Sequence, residues 1–394
     1  MKRNRIKKIQ SLLSISVLVY LSFALTSCQG DSDVYEPNAD VISDLESGIL
    51  NGTLSQDYTL NSNIQYRLEG SFVVPEGVTF TIPAGTKIEA HKGGSNIYIV
   101  ALAGSTLNIN GTAANPVVMS TLDGLAGGWG GISIFGNAPV QGERSILENF
   151  YGGTIEDDNS GSISYLNIIG SGNKFSIDET FNGLALYGVG SGTTINNIAI
   201  INGKDDGIEF YGGTVSVTNL YLQNNADDAI DWTEGWKGSI TNAYVTNNDV
   251  FSTAVEGDFV QLDEDSPEGF ENPTITNLTV VSTENDTSTV ETALQFNNES
   301  GASISGLYIE GFDIDLDMKD NGALSNVSID GVLADVTLVS SATRTVVVED
   351  ESTSVDGDTT TIIEETNEYY YKFNSGNNSS PVDISEWTWI RRSL

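Results

Sequence analysis

The chain has few of the residues that build covalent cross-links or metal-centred chemistry. Among 394 residues there are one cysteine, one histidine and eight prolines, and 17 basic residues stand against 54 acidic ones. A single cysteine excludes an internal disulfide, so the fold depends on packing and hydrogen bonds. The negative charge argues against nucleic acid as a partner, because phosphates are bound by clustered Lys and Arg. We expect the one histidine, His91, to be an exposed loop residue, since it lies beside a Gly-rich turn.

The N-terminus carries an export signal. Basic residues at positions 2–8 precede an apolar run at about 12–25, as in a secretory signal peptide. The run ends in Leu25-Thr26-Ser27-Cys28, which resembles the bacterial lipobox, where the cysteine is diacylated and becomes the first residue. We therefore predict a signal peptide over residues 1–27 and lipidation of Cys28, which attaches the protein to outer-membrane lipid. The alternatives are a signal peptide with an incidental cysteine or an N-terminal membrane helix, although the run is short for a membrane span.

A polar stretch with several acidic residues follows the cysteine. It resembles the acidic tether that sends Bacteroidetes lipoproteins to the outer face of the outer membrane. We predict a flexible tether over residues 28–50 and a protein that faces the extracellular side. A linker without sorting information is the alternative.

An apolar–x–Asn pattern recurs through the middle of the chain with a period near 22 residues. Such a period, with occasional longer steps, is typical of a solenoid with inserted loops. Asn tolerates left-handed backbone and can turn a corner between strands, and stacked Asn side chains can form a hydrogen-bonded ladder. The five copies place Asn at positions 197, 219, 242, 277 and 326, and two related copies have Tyr165 and Gly306 instead.

Short alternating segments keep step with these repeats. They include Gly207-Ile208-Glu209-Phe210, Ala229-Ile230-Asp231-Trp232, Phe259-Val260-Gln261-Leu262 and Ala293-Leu294-Gln295-Phe296. The connections between strands are too short for βαβ units. The prediction is an all-β fold, a right-handed parallel β-helix over residues 51–340 with loops inserted into some coils.

The C-terminal end changes character. Residues 341–394 are predicted to form a hairpin and a cap, because the last coil of a solenoid exposes strand edges and core that must be covered. Trp387 and Trp389 are expected to cap the rod.

Several segments of the N-terminal half, taken in order, are similar to a known group. They include Val74-Pro75-Glu76-Gly77, Asn115-Pro116-Val117, Gly127-Gly128-Trp129-Gly130-Gly131 and Asp205-Asp206-Gly207-Ile208. In this order the segments resemble the β-helical surface lipoproteins of Bacteroidetes, and the resemblance covers about residues 50–245. It implies the fold and a cell-surface location but carries over no catalytic residue.

Two acidic pairs follow one another at the coil period. Aligning the two coils stacks Asp205 on Asp227 and Asp206 on Asp228, about 4.8 Å apart. Stacked like charges are destabilising unless a cation or hydrogen bonds compensate them. Carboxylate oxygens in this arrangement suit Ca²⁺, so these four aspartates form the candidate metal site. The alternative is that they form turns and accept backbone N–H groups.

Strand alternation places a polar column on the outer surface of the β-helix. A polar sheet face flanked by aromatic residues is the kind of surface on which β-helices bind extended polysaccharide, and an ordinary solvated face is the alternative. The candidate ligand-binding residues are Glu209, Asp231, Gln261 and Gln295 in the column, with Tyr211, Glu234, Trp236 and Lys237 on the turns that follow.

Three functions are compatible with these features. The leading hypothesis is a cell-surface lipoprotein whose β-helix is a non-catalytic binding or adhesion module for polysaccharide, with an outer-membrane glycan importer as a further partner. The second is a polysaccharide lyase or glycoside hydrolase with Glu209 and Asp231 as paired carboxylates. Polygalacturonases are among the enzymes with a β-helix fold. After the signal peptide, however, the sequence lacks their Gly-His-Gly and Arg-x-Lys motifs. The third is a structural role at the cell surface.

Overall fold

Strands from successive coils pair in parallel and, together with an antiparallel hairpin, form one continuous sheet of 24 strands, which confirms the predicted parallel β-helix. The computed structural model describes residues 41–92, 96–141, 145–146, 149–175, 180–248, 253–259, 272–283, 291–320, 323, 326–329, 336–350, 360–373 and 379–394. They belong to the compact unit Asp40–Leu394. Within these ranges no helix has the length and apolar character needed to cross a membrane.

A short helix, α1, covers Val41–Glu46. The strands are, in chain order, β1 (Ile49–Thr53), β2 (Tyr58–Thr59), β3 (Gln65–Val74), β4 (Thr79–Pro83), β5 (Lys87–Ala90), β6 (Ile99–Ala101), β7 (Thr106–Asn110), β8 (Val117–Ser120), β9 (Ile132–Phe135), β10 (Ser145–Ile146), β11 (Asn149–Phe150), β12 (Gly161–Ile169), β13 (Leu184–Tyr187), β14 (Thr194–Ile201), β15 (Ile208–Tyr211), β16 (Ser216–Gln223), β17 (Asp228–Thr233), β18 (Ser239–Asn247), β19 (Thr253–Gly257), β20 (Thr274–Ser282), β21 (Thr292–Phe296), β22 (Ala302–Glu310), β23 (Ile314–Met318), β24 (Val327–Ile329), β25 (Val336–Asp350) and β26 (Thr360–Phe373).

Each coil has three faces. The first half of β12 pairs with β7 and its second half with β8, so a long strand of this kind bends around a corner and serves two faces. We call these the first and second faces. The third face is the stack β6, β9, β13, β15, β17, β19, β21 and β23, in which each strand pairs in parallel with the next.

The Asn repeats lie at the corner between the first and second faces. Asn197, Asn219, Asn242 and Asn277 have φ angles of 56°, 57°, 60° and 57°, in the left-handed region that Asn tolerates better than most residues. Each Nδ2 donates to the Oδ1 of the preceding Asn, at 2.9 to 3.0 Å, from Asn219 to Asn277. Tyr165 and Gly306 take the same left-handed corner at φ 51° and 66°. The predicted ladder is therefore present from Asn197 to Asn277. The prediction was wrong for the fifth copy, Asn326, because β24 pairs Val327 with Ala302 and so places Asn326 before the corner.

The interior is a continuous apolar column. Inward residues of the third face such as Ile208, Phe210, Ile230 and Trp232 are fully buried, as their alternation predicts. They pack on inward residues of the other two faces in one cluster that extends from Leu45 to Ile329. The outward residues of each strand are therefore the ones available to form a site.

Both ends of the column are covered. At the N-terminal end α1 lies within the predicted tether of residues 28–50, yet its Leu45 is fully buried against the first coil. The helix begins before the predicted end of the tether because the first coil would otherwise leave its apolar core open to solvent. At the other end β25 and β26 form the expected antiparallel hairpin, and β26 also pairs antiparallel with β23, with Tyr371 opposite Leu316. This pairing protects the last strand edge of the third face.

The C-terminal segment is not a cap. Residues 379–394, which we call the strap, run back along the outside of the second face. The Ser379 amide donates to the carbonyl oxygen of Leu307 on β22, and the side chain of Asn167 on β12 donates to the carbonyl oxygen of Trp389. Trp389 is buried in an outer apolar cluster with Tyr221. The expectation that Trp387 and Trp389 cap the rod was wrong, because apolar outward residues of the second face offer them a lateral surface to cover.

Candidate functional site

The third face carries a column of outward polar residues on neighbouring strands. Strand pairing aligns Ala185 with Glu209, Glu209 with Asp231, Asp231 with Glu256, Glu256 with Gln295, and Gln295 with Asp317. We call the run Glu209, Asp231, Glu256, Gln295 and Asp317 the third-face column. Neighbouring members are separated by about 4.8 Å, the spacing of paired strands.

Two members of the column differ from the sequence expectation. The predicted strand around Gln261 is replaced by β19, so that Glu256 stands between Asp231 and Gln295, and Gln261 lies outside the described residues. Ala254-Val255-Glu256 shows the same alternation, but the more apolar Phe259-Val260 gives the stronger strand signal. Asp317, which no repeat motif marks, was also missed.

Glu209 points away from the interior and is nevertheless 8% exposed. Its Oε2 accepts hydrogen bonds from Nδ2 of Asn182 and from the hydroxyl of Tyr211, which cover it from the solvent side. Burial raises the pKa of the Glu209 carboxyl to about 7, although the hydrogen bonds from its neighbours oppose the rise. At this coil the outer face is therefore covered by side chains and is not an ordinary solvated face.

Three carboxylates converge beneath this cover. Asp206, Glu209 and Asp231 each present an oxygen atom within 4.8 Å of the other two. We call them the buried triad. Burial, followed by the charge of Glu209, raises the pKa of both Asp206 and Asp231 well above the usual range. Asp231 is half-buried as a residue, yet its Oδ1 is shielded from solvent and accepts no hydrogen bond from the residues that the structure describes.

Three of the four predicted metal ligands belong to groups of carboxylates close enough to hold an ion. Asp205, Asp206 and Asp227 form a second trio within the same distance limit, nearer the surface, and Asp205 accepts a hydrogen bond from the hydroxyl of Thr180. Asp228 belongs to neither group. It is 4% exposed, and burial and the nearby Glu256 raise the pKa of its carboxyl. The Asp228 amide donates to Oδ1 of Asp206 at 2.9 Å, so the two coils are also joined by a turn hydrogen bond.

The residues on the turn after β17 have different roles from those expected. Glu234 is buried and accepts hydrogen bonds from the Tyr151 hydroxyl at 3.0 and 3.1 Å. Trp236 is fully buried in the core and stacks on Phe210 with ring centroids 3.9 Å apart, so it offers no surface to a ligand. The positive φ of Glu234 and Gly235 turns the chain back into the interior. Lys237 is exposed.

Tyr211 belongs to a second apolar layer outside the third face. Its ring stacks on Tyr187 at 4.2 Å, and Tyr187 meets Phe135 edge to face at 4.8 Å. This layer also includes Tyr151, from the insertion between β9 and β12. Sequence reasoning missed the layer, because its members come from coils and insertions that are distant in the chain.

The chain was compared with known proteins. No curated protein matches it. The family model described as a pectate-lyase-like beta-helix domain matches residues 52–390, which includes the β-helix, the hairpin and most of the strap. The chain therefore belongs to the family of pectate-lyase-like β-helix domains.

Proposed function

We propose that the protein is a lipid-anchored cell-surface β-helix that binds polysaccharide along its third face without cleaving it. The export signal and Cys28 support the anchor, and the resemblance to Bacteroidetes surface lipoproteins supports the extracellular orientation. Family membership supports a polysaccharide-related role. An outer-membrane glycan importer is the protein partner that this role suggests.

The observation that carries the binding role is the periodic polar floor of the third face. Tyr211, Asp231, Glu256 and Gln295 lie on four neighbouring strands, and each is half-buried. They span about 14 Å at the strand spacing. An extended glycan is also periodic and carries hydroxyl groups along its length, so carboxylate and amide oxygens in register give it a row of acceptors.

The geometry of Glu209 and Asp231 argues for binding rather than cleavage. A glycosidase needs two carboxyl groups about 5 to 9.5 Å apart with the sugar between them. In the buried triad the carboxylate oxygens come within 4.8 Å, and Tyr211 and Asn182 cover Glu209. These oxygens lie closer together than that range, and one of the two carboxyl groups is already bonded to its cover.

One observation favours the enzyme hypothesis. A pKa of about 7 suits a general acid or base at neutral pH, and Glu209 has that value. Displacement of Tyr211 by a substrate would be needed to expose it. The enzyme and binding hypotheses therefore differ in whether polysaccharide is depolymerised.

The test uses the full chain, purified in detergent, in affinity electrophoresis on pectate, alginate and laminarin, each with and without Ca²⁺. We expect retardation without release of reducing ends. Asp231→Asn combined with Gln295→Ala should weaken retardation, whereas Lys87→Ala, an exposed change on the second face, should not. Depolymerisation that Glu209→Gln abolishes would establish the enzyme instead. Absence of both binding and turnover would favour a structural surface role.

A further inference from the structure

A separate cavity lies at the N-terminal coils, where the insertion between β9 and β12 meets the turns that follow β3 and β6. Its volume is about 330 Å³, at the lower end of the range for ligand pockets. It contains no member of the third-face column or the buried triad. We call it the Phe150 cleft; the lining residues used below are Glu76, Leu102, Asn137, Asn149, Phe150 and Tyr151.

The insertion presents Phe150 to solvent. Phe150 is 79% exposed, whereas the next residue, Tyr151, is 4% exposed. The Tyr151 ring contacts Phe135 and Tyr187 at 5.9 and 5.1 Å, and its hydroxyl donates to Glu234. The Gly152 amide also donates to the Gly136 carbonyl oxygen at 2.8 Å. Because the two residues that follow it are anchored, the ring of Phe150 is held at the rim as an apolar surface.

The backbone around the cleft leaves no room for added side chains. Gly104 and Gly152 both have φ 77°, a conformation that favours glycine. A Cβ on Gly104 would lie 2.9 Å from Cγ of Glu76, and one on Gly152 would lie 2.5 Å from Cγ2 of Val140. The left-handed backbone therefore favours glycine at two positions of the cavity wall.

The lining indicates the chemistry of the ligand. Phe150 and Leu102 offer apolar surface, and Asn137 and Asn149 add polar amides to the lining. One N–H of the Asn137 amide donates to Oδ1 of Asp158 at 3.2 Å, and an amide has a second N–H and an oxygen that can bond a hydroxyl. Glu76 is the one charged residue among the lining residues, and it is exposed. An acidic sugar would be repelled by this carboxylate, whereas a neutral pyranose has a C–H face for the aromatic ring and hydroxyls at its edge.

We propose that the Phe150 cleft is a second binding site, which takes one or two neutral pyranose units with a ring stacked on Phe150. This inference rests on the proposed function, because it takes from it that the ligand is a glycan. It places that ligand at a site distinct from the third-face column, which would serve the extended chain.

The test measures binding of cellotetraose, xylotetraose, mannotetraose and tetragalacturonate to the full chain by calorimetry. We expect at least one neutral tetramer to bind and Phe150→Ala to weaken it about tenfold or more. Phe150→Trp should retain affinity, and Phe150→Leu should lose it, because Leu keeps apolar bulk without a flat ring. Leu122→Ala is the matched control. Leu122 is 81% exposed and does not line the cleft, so its substitution should have no effect. An unchanged melting temperature would show that the variants fold.

The outcomes separate the two proposals. If a neutral tetramer binds the wild type and Phe150→Ala equally, the cleft is not the site, while the polysaccharide-binding role stands. The same conclusion follows if only tetragalacturonate binds. Full affinity in Phe150→Leu would overturn the stacking role and indicate a general apolar contact. If neither the tetramers nor the polymers bind, both proposals fail.

Discussion

Asn219 donates a hydrogen bond from Nδ2 to Oδ1 of Asn197, one coil earlier, at a distance of 2.9 Å. Its own Oδ1 accepts from Asn242 at 3.0 Å, so it is bonded on both sides within the ladder. Asn326 lies beyond Gly306 and instead donates to the Glu299 carbonyl oxygen. Asn326 matches the repeat in sequence only. Strand β24 pairs Val327 with Ala302, so Asn326 lies before the corner that Gly306 occupies.

We expect Asn219→Ala to lower the free energy of unfolding by about 1–3 kcal/mol, because two partially buried partners lose their hydrogen bonds. Asn326→Ala should cost less than Asn219→Ala. Asn219→Gly is the matched variant that removes the side chain but accepts the left-handed backbone, so it separates the ladder from backbone strain. Urea denaturation measures all three. Equal losses at positions 219 and 326 would contradict the ladder's contribution.

The strap gives a second stability prediction. Trp389 is 2% exposed, and Asn167 both donates to its carbonyl oxygen at 3.1 Å and accepts from the Arg391 amide at 2.6 Å. Trp389→Ala should therefore destabilise the protein by about 3 kcal/mol or more. Trp387→Ala is the control, since this residue is only half-buried and should cost less. Thermal denaturation of both variants measures the effect. If both melt at the wild-type temperature, the strap does not contribute to stability.

The buried carboxyls predict that stability falls as pH rises. The pKa of Glu209 is raised to about 7 in the folded protein, so the folded state binds more protons than the unfolded state between about pH 4.5 and 7. The free energy of unfolding should drop across this interval, by on the order of 3 kcal/mol from Glu209 alone. Asp206, Asp228 and Asp231 shift in the same direction.

The measurement is urea denaturation at pH 5 and pH 8 in the presence of a chelator. Glu209→Gln should reduce the difference between the two pH values, because the amide has no charge to desolvate. Glu386→Gln, an exposed change on the strap, should leave the difference intact. Higher stability of the wild type at pH 8 than at pH 5 would contradict the buried-triad argument.

The cation hypothesis predicts a specific response to Ca²⁺. An ion bound by the folded state alone stabilises it by mass action, and it would offset repulsion within the buried triad. Millimolar Ca²⁺ should raise the melting temperature at pH 8 more than NaCl of equal ionic strength. Asp206→Asn should remove most of this rise, because Asp206 belongs to both carboxylate groups.

Asp206→Asn retains an oxygen that can accept from the Asp228 amide, so the turn is preserved. It should also raise the melting temperature in the absence of metal. Asp383→Asn is the exposed control. Identical Ca²⁺ responses in all three proteins would mean that the aspartates act as turn residues.

Lipidation can be tested separately from the fold. Cys28→Ala should abolish labelling by radioactive palmitate and release the protein from the membrane fraction, because Cys28 is the sole cysteine. A Cys28→Ser variant should behave in the same way. Labelling that persists in either variant would place the lipid elsewhere and remove the basis for the proposed anchor.

The sequence by itself determined the coil period, the Asn corners, the inward apolar positions and the C-terminal hairpin. These features are local and repeated: a left-handed corner needs Asn or Gly at a set place, and a strand with one buried face alternates apolar residues. Ile208, Phe210, Ile230 and Trp232 are buried as this reasoning requires. Each coil repeats the same information, so the fold is encoded many times.

Only the tertiary structure decided how exposed the outward residues are. Alternation shows that the Glu209 side chain points outward. It does not show that Asn182, from a neighbouring coil, and Tyr211, from the same strand, cover its carboxylate. Tyr151 reaches Glu234 across 83 positions, and Asn167 reaches Trp389 across 222. A periodic pattern carries no information about which distant insertion or terminal segment will lie on a face. For that reason the repeat predicted the rod, while the covered triad, the strap and the Phe150 cleft emerged from long-range packing.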